Sequence, residues 1–171
     1  IGNNSHFLAR VSTTSGTVTP AIKGTFMYIH DIKIKPNSNL IAISERAGSQ
    51  VTIGDLSTGD IVGSVRTDGE SGYVEWLGKC LVTSNVAQKN ILVFDVANLA
   101  EPKLLKTYDF SETGAIFDRL RGMAIDHQTG RIYGRSSIPC NPMVETCEKT
   151  RNSIAVIDLG SAAEILAMCR Q

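Results

Sequence analysis

The chain has no excess of either charge, with 17 Lys and Arg against 17 Asp and Glu among its 171 residues. A neutral chain lacks the electrostatic footprint of a polyanion binder, which argues against nucleic acid or an anionic membrane as its main partner. Although 42% of the residues are hydrophobic, they form no long apolar run, so no membrane-spanning helix is predicted. The three histidines, His6, His30 and His127, are far apart in sequence. There is no nucleophile motif, no His/carboxylate set at metal-ligand spacing, no phosphate-cradling Gly loop and no haem attachment site. On these grounds no catalytic residue, metal site or cofactor is predicted. The first residues, Ile-Gly-Asn-Asn-Ser, include neither an initiating Met nor a basic segment leading into an apolar one, so a mature, trimmed or excerpted chain is expected. Asn3-Asn4-Ser5 fits a glycosylation sequon.

What the sequence does contain is short strands in a recurring order. Residues 91–96, Ile-Leu-Val-Phe-Asp-Val, are β-branched and aromatic and too few for a stable helix. Asp95 closes that run, where its carboxylate can bond backbone amides two residues on and fix a turn. After Pro102, residues 104–109 alternate in the period-2 rhythm of a strand with two unlike faces. The same grammar spans 50–55, 56–59 and 60–66, and returns over 153–158, 159–161 and 162–169. A degenerate copy covers 5–12, 13–16 and 17–23, with Pro20 demoting its second strand to an edge or a bulge. Ala162–Met168 contains good helix formers, but the phase of the repeat predicts a strand there.

Two further strand-like runs precede each Asp-bearing hairpin: 31–35 with 40–44, 73–77 with 79–84, and 121–126 with 131–135. Tight-turn residues join each pair. The turn aspartates Asp55 and Asp95 stand 40 residues apart and Asp95 and Asp158 stand 63 apart, the longer step carrying an insertion over 137–152. Four short strands in about 40–45 residues is the signature of a propeller blade.

With its Asp-headed, Pro-bearing turn, Ile91–Tyr108 resembles the LVIVD and YVTN classes of β-propeller repeat. The Gly-His…Trp-Asp pattern of WD repeats is absent, and the one Trp, Trp76, falls on an inner strand. The expected fold is all-β, a β-propeller of four-stranded antiparallel blades. It comprises a half blade over 5–23 and blades over about 28–67, 73–110 and 120–169. Three and a half blades leave sheet edges open, so the ring is expected to be incomplete in this chain. A protein partner, or a second chain or segment, would then complete it.

On this arrangement, crossovers into the inner strands and loops between second and third strands emerge on one face. That face gathers His30, Asp31, Glu45, Arg46, Asn85, Gln88, Lys89, Asp118, Arg119 and the loop containing Cys140 and Cys147. Long loops on a rigid scaffold are where binding residues accumulate. His30 beside Asp31 is either a proton-transfer or metal pair or, the favoured reading, a pair of hydrogen-bonding residues that hold blades together. The acidic crossovers 68–72 and 111–114 lack the Asp-x-Asp-x-Asp spacing of a calcium loop and read as turns.

Cys140 and Cys147 enclose a Pro, have no His nearby and lack the Cys-x-x-Cys form, so a cystine is favoured over zinc ligation or free thiols. It implies an oxidising compartment: extracellular, cell-surface or periplasmic. Cys80 reads as a small buried residue out of bridging range of Cys169 in the next blade, and Cys169 as a thiol awaiting a partner elsewhere. Function divides into two classes. The preferred one is a non-catalytic binding or scaffold module offering the loop face to a protein or glycan. The alternative is part of a propeller enzyme, such as a lactonase or a dehydrogenase subunit, with chemistry at the channel mouth.

Overall fold

In the computed structural model, residues 5–109, 120–137, 152–158 and 163–170 are described. Thirteen strands and one helix are described in them. The first sheet pairs β1 (Ser5–Val11) with β2 (Val18–Met27). The second runs in order β3 (Ile29–Ile34), β4 (Leu40–Glu45), β5 (Gln50–Asp55) and β6 (Asp60–Arg66). The third repeats it as β7 (Ser71–Leu77), β8 (Cys80–Asn85), β9 (Asn90–Asp95) and β10 (Lys103–Asp109). The fourth holds β11 (Leu120–Asp126), β12 (Arg131–Ser137) and β13 (Asn152–Asp158). All neighbouring pairs are antiparallel.

The sheets stack face to face, and successive residues of a strand face opposite neighbours. On β4, Ile41 and Ile43 pack toward the first sheet with Ile22 and Phe26. Ala42 packs the other way, with Val74, Trp76 and Leu81. On β9, Leu92 and Phe94 join that second core, while Ile91 and Val93 enter a third with Leu120, Met123 and Ile132. Strands buried on both faces read as continuous apolar runs rather than alternating ones. The outer strands β6 and β10 are mostly exposed, and on β10 the expected period-2 alternation is broken: a register shift between Leu104 and Lys106 leaves Leu105 and Tyr108, three apart, as the half-buried residues.

The aspartate turns form through the aspartate itself. Asp55 Oδ1 accepts the Ser57 amide at 2.7 Å and the Ser57 hydroxyl at 2.6 Å, and Gly59 supplies the left-handed residue at φ 76°. Asp95 Oδ1 accepts the Ala97 amide at 2.9 Å. Asp126, in the β11–β12 turn, binds the Gln128 amide and the Thr129 hydroxyl at 2.8 and 2.7 Å.

Two expectations are corrected at the ends of the repeat. β2 does not stop at Lys23 but continues to Met27, because Phe26 and Met27 pair with His6 and Ser5 and Phe26 is buried. Pro20 sits opposite Ala9 beside a register shift, the bulge that its missing amide requires. The second correction is larger. Residues 163–170 form a helix, α1 (Ala163–Arg170), not the outer strand implied by repeat phase. Ile165 and Cys169, four residues apart on one helix face, both enter the third core. Glu164 in the first turn and Arg170 in the last complement the helix dipole.

Cys169 is bonded to Cys80, with Cα atoms 5.0 Å apart, so the cysteines read as out of range form the cystine among the described residues. The strand reading put Cys169 on the far edge of its sheet, whereas the helix carries it back onto β8. Its carbonyl accepts the Lys79 amide at 2.8 Å. Gly78, at φ 56°, passes so close to that carbonyl that a side chain at 78 would collide with it. The proposed Cys140–Cys147 pair, Asp118, Arg119 and the turn after Asp158 lie outside the described residues. No helix among the described residues is long and apolar enough to cross a membrane.

A non-reduced peptide map should recover the Cys80 and Cys169 peptides as one species. The bond spans 89 residues, so reducing it should lower unfolding stability by up to about 4–5 kcal/mol on the loop-entropy estimate, read from urea denaturation.

Candidate functional site

The inner strands β3, β7 and β11 are each bulged near their first residue, at register shifts between Ile29 and Asp31, Ser71 and Val74, and Leu120 and Gly122. A bulge leaves one residue unpaired and re-aims it. In β3 that residue is His30, and in β7 the bulge includes Tyr73. Their rings meet edge to face with centroids 4.8 Å apart. His30 Nδ1 is buried and without a hydrogen-bond partner. Asp31 accepts the Ile32 amide on Oδ1 at 2.9 Å and, across the sheet boundary, the Val74 amide on Oδ2 at 3.0 Å.

The same boundary is crossed twice more from Lys33. Its carbonyl accepts the Trp76 indole N–H at 3.0 Å, and its ammonium lies 2.7 Å from Glu75. The Glu75 carboxylate raises the Lys33 pKa above its usual 10.5, with burial opposing.

Glu45 and Asn85 end the second strands of their sheets, and both are buried, at 2% and 1% exposure. Glu45 Oε2 accepts the Met27 amide at 2.9 Å, and Oε1 accepts the Gln50 side chain at 2.9 Å and the Thr52 hydroxyl. A buried carboxylate is tolerable when donors surround it. Asn85 does the corresponding work one sheet on, donating to the Thr67 carbonyl and accepting the Gln88 amide. Both residues therefore tie an incoming crossover to a hairpin loop and face the chain rather than solvent. Beside them Ser44, Ser71 and Thr83 form a buried hydroxyl seam, with Ser44 also donating to the Gly72 carbonyl.

Above this layer lies the accessible part. Tyr28, Arg46, Ala47, Ser49 and Glu70 line a surface cavity of about 380 Å³. Arg46 reaches Glu70 Oε2 through Nε at 2.9 Å and its terminal nitrogen at 2.8 Å. Tyr28, Ser49, Asp68 and Lys89 all adopt left-handed backbone, at φ 58°, 50°, 53° and 54°. The aspartate turns at the other end of the sheets use glycine for this, at Gly59 and Gly130.

Of the residues expected on this face, Arg46 lines the cavity and Lys89 caps the β8–β9 loop. Gln88 Nε2 bonds the Asp68 carbonyl at 2.7 Å. His30 and Asp31 lie lower, on the inner strand, and Glu45 and Asn85 lie beneath the surface. Tyr28, Ser49 and Glu70 were not anticipated. No three of His, Cys, Asp and Glu converge in a geometry that could hold a metal ion among the described residues.

No family model matches the sequence, and no curated protein matches it. Solved structures do match. Kuenenia stuttgartiensis hydrazine synthase superposes on 91% of this chain at TM-score 0.68 and 12% identity, over 41% of its own length. A structure of the mitotic checkpoint complex superposes on 70% of this chain at TM-score 0.56 and 12% identity, over 37% of its matched chain. This chain thus spans less than half the length of either, and at such identity the likeness is one of fold. That fold is all-β, with four-stranded antiparallel sheets arranged as a partial β-propeller.

Glu45→Ala should cost about 3 kcal/mol or more, because it strands the Met27 amide and the Gln50 and Thr52 donors. Arg46→Ala, removing a partly exposed ion pair, should cost about 1 kcal/mol or less, and urea midpoints distinguish the two. The Asp126 carboxyl lies below its usual 3.8 because the Thr129 hydroxyl and the Gln128 amide bond its ionised form. Its contribution to stability is present above that usual value and is lost as pH falls through the lowered one. Asp126→Asn should flatten that acid limb in pH-dependent unfolding, leaving the alkaline limb from Lys33 in place. The Lys33 contribution is full below 10.5 and is lost as pH rises through the raised value.

Proposed function

We propose that this protein is a non-catalytic binding or scaffold module that offers its loop face to a protein or glycan partner, in a propeller built from YVTN- or LVIVD-type repeats. The observation carrying this reading is the set of four non-glycine residues, Tyr28, Ser49, Asp68 and Lys89, held in left-handed backbone on that one face. Such positions cost about 1–3 kcal/mol each and persist only where their surroundings over-determine them. Here the surroundings are the buried Glu45 and Asn85 ties. Four of the five such residues among the described ones lie on this face, the fifth being Asn37 at the opposite end, and their grouping around a cavity bordered by an ion pair and a half-exposed tyrosine fits a surface preorganised for contact.

The edge of β1 away from β2, unpaired among the described residues, supports a partner that also completes the ring. β1 and β2 lead into β3 as third and fourth strands of a blade, and Phe7, Val11 and Val18 beside that edge are 74%, 59% and 63% exposed. The Cys80–Cys169 cystine fits an oxidising compartment, extracellular, cell-surface or periplasmic. The enzymatic alternative rests on His30, whose buried Nδ1 has no hydrogen-bond partner and whose ring meets Tyr73 edge to face.

A glycan microarray, together with immobilised candidate proteins from the same extracellular space, tests the loop face. Tyr28→Ala and Arg46→Glu should each weaken the interaction about tenfold or more, with unfolding midpoints near wild type. Undiminished binding by both variants would overturn the assignment. Stoichiometric metal in the intact protein that disappears on His30→Ala would favour the enzyme.

A further inference from the structure

On the face opposite these loops, the turns joining first to second strands of three successive sheets converge. Lys35, Pro36 and Asn37 come from the β3–β4 turn, Gly78 and Lys79 from the β7–β8 turn, and His127 from the β11–β12 turn. With Arg170 of α1 they line a cavity of about 420 Å³. Every ionisable side chain lining it is a base, in a chain whose charges balance at 17 and 17. Among the described residues the carboxylate in contact is Asp95, 3.4 Å from the Lys79 ammonium. Asp126, beside His127, does not line the cavity, and its carboxylate, still charged, accepts the Gln128 amide and the Thr129 hydroxyl within its own turn.

Lys35 and Arg170 meet no carboxylate among the described residues. The Lys35 ammonium lies 5.3 Å from the centroid of the Trp76 ring. Arg170 donates from one terminal nitrogen to the His127 carbonyl at 3.2 Å and to the Gln128 carbonyl. Its remaining guanidinium N–H groups meet no acceptor among the described residues. The position of Arg170 is not that of a loose surface arginine. The preceding residue is bonded to Cys80, its carbonyl holds the Lys79 amide, and Gly78 admits no displacement toward the turn. The cations Lys35, Lys79 and Arg170, brought together from two turns and a helix, repel one another, and an anion seated among them would convert that repulsion into attraction.

We infer that this groove binds a compact tetrahedral oxyanion, a sulfate or phosphate group, either free or as the monoester of a small molecule. Donors approach from three turns and a helix rather than from one plane, which suits a tetrahedral acceptor better than a flat carboxylate. The cavity exceeds the ion itself and leaves room for the group that bears it. The cystine fastens Arg170 in the groove.

Heteronuclear NMR titration of the disulfide-intact protein with inorganic sulfate and inorganic phosphate tests this, with chloride at matched ionic strength as control. Saturable shifts are expected at the amides of Lys35, Asn37, Lys79, His127 and Gln128 with either oxyanion and not with chloride. Lys35→Gln and Arg170→Gln should each weaken the titration about tenfold, the loss of one charge-assisted contact. Lys23→Gln, which removes an exposed pair with Asp60 elsewhere, should leave it unchanged. Glucose 6-sulfate and glucose 6-phosphate run in parallel identify the source, a preference for either over chloride supporting the site. Shifts that fail to saturate, that chloride reproduces, or that persist undiminished in a folded, cystine-containing Arg170→Gln protein would overturn it.

Discussion

The Asp31 carboxylate accepting the Val74 amide is a single hydrogen bond, but it joins the innermost strands of two sheets that share no backbone pairing. Two residues along β3, the Lys33 carbonyl takes the Trp76 indole N–H and the Lys33 ammonium takes Glu75. Residues 31 and 33 face the same way on a strand, as do 74 and 76. A period-2 row of polar contacts therefore sets the spacing and angle at which one sheet meets the next. Apolar packing of Ala42, Val51, Ile53, Trp76 and Leu81 then fills the wedge this spacing defines. Dispersion and burial supply most of the attraction, but they are indifferent to a slip of one residue. The polar row is not indifferent, since a slip would leave Asp31 and the Val74 amide buried without each other.

The two ends of the stack use this frame differently. At the aspartate turns, glycine adopts left-handed backbone without steric cost and the carboxylates neutralise local amides, so the turns are self-contained. At the loop end, Tyr28, Ser49, Asp68 and Lys89 adopt the same backbone with side chains attached. What holds them is the layer beneath, where Glu45 and Asn85 bind crossover and hairpin together. Rigidity here comes from buried polar groups that are satisfied by backbone, which resists shear in a way an apolar layer does not.

Much of the architecture was legible because blade grammar is local. Asp55, Asp95 and Asp126 carry their turns in the few residues that follow them, and the β-branched runs between are too short for anything but strands. The end of the repeat was not legible, for the opposite reason. Ala163–Arg170 is helical in propensity, and repeat phase, a non-local argument, pointed the other way; the burial of Ile165 and Cys169 against Leu77 and Cys80 decides it. Once α1 was read as a strand, the Cys80–Cys169 bond became invisible, because bridging range depends on that choice. Connectivity groups Arg46, Gln88 and Lys89 with Glu45 and Asn85 as loop residues, yet Glu45 and Asn85 are buried. Nothing in a lone Glu or Asn at a strand end announces that its partners are a backbone amide 18 residues earlier or a carbonyl 18 residues earlier. Tyr28 and Ser49 carry no sequence signal, since left-handed backbone is written plainly only when the residue is Gly or Asn, and Glu70 joins them only through its ion pair with Arg46, 24 residues away.

The cystine also bears on how the chain is made. A ribosome delivers residues in order, and 89 separate Cys80 from its partner. Cys140 and Cys147 both arrive first. In an oxidising compartment, the thiol of Cys80 would therefore meet two other cysteines before its own partner exists. Either β8 must shelter that sulfur inside its sheet from early on, or an isomerase must undo a premature bond, an exchange that takes seconds to hours. In such a compartment, the order of synthesis would make correct pairing of Cys80 depend on one or the other.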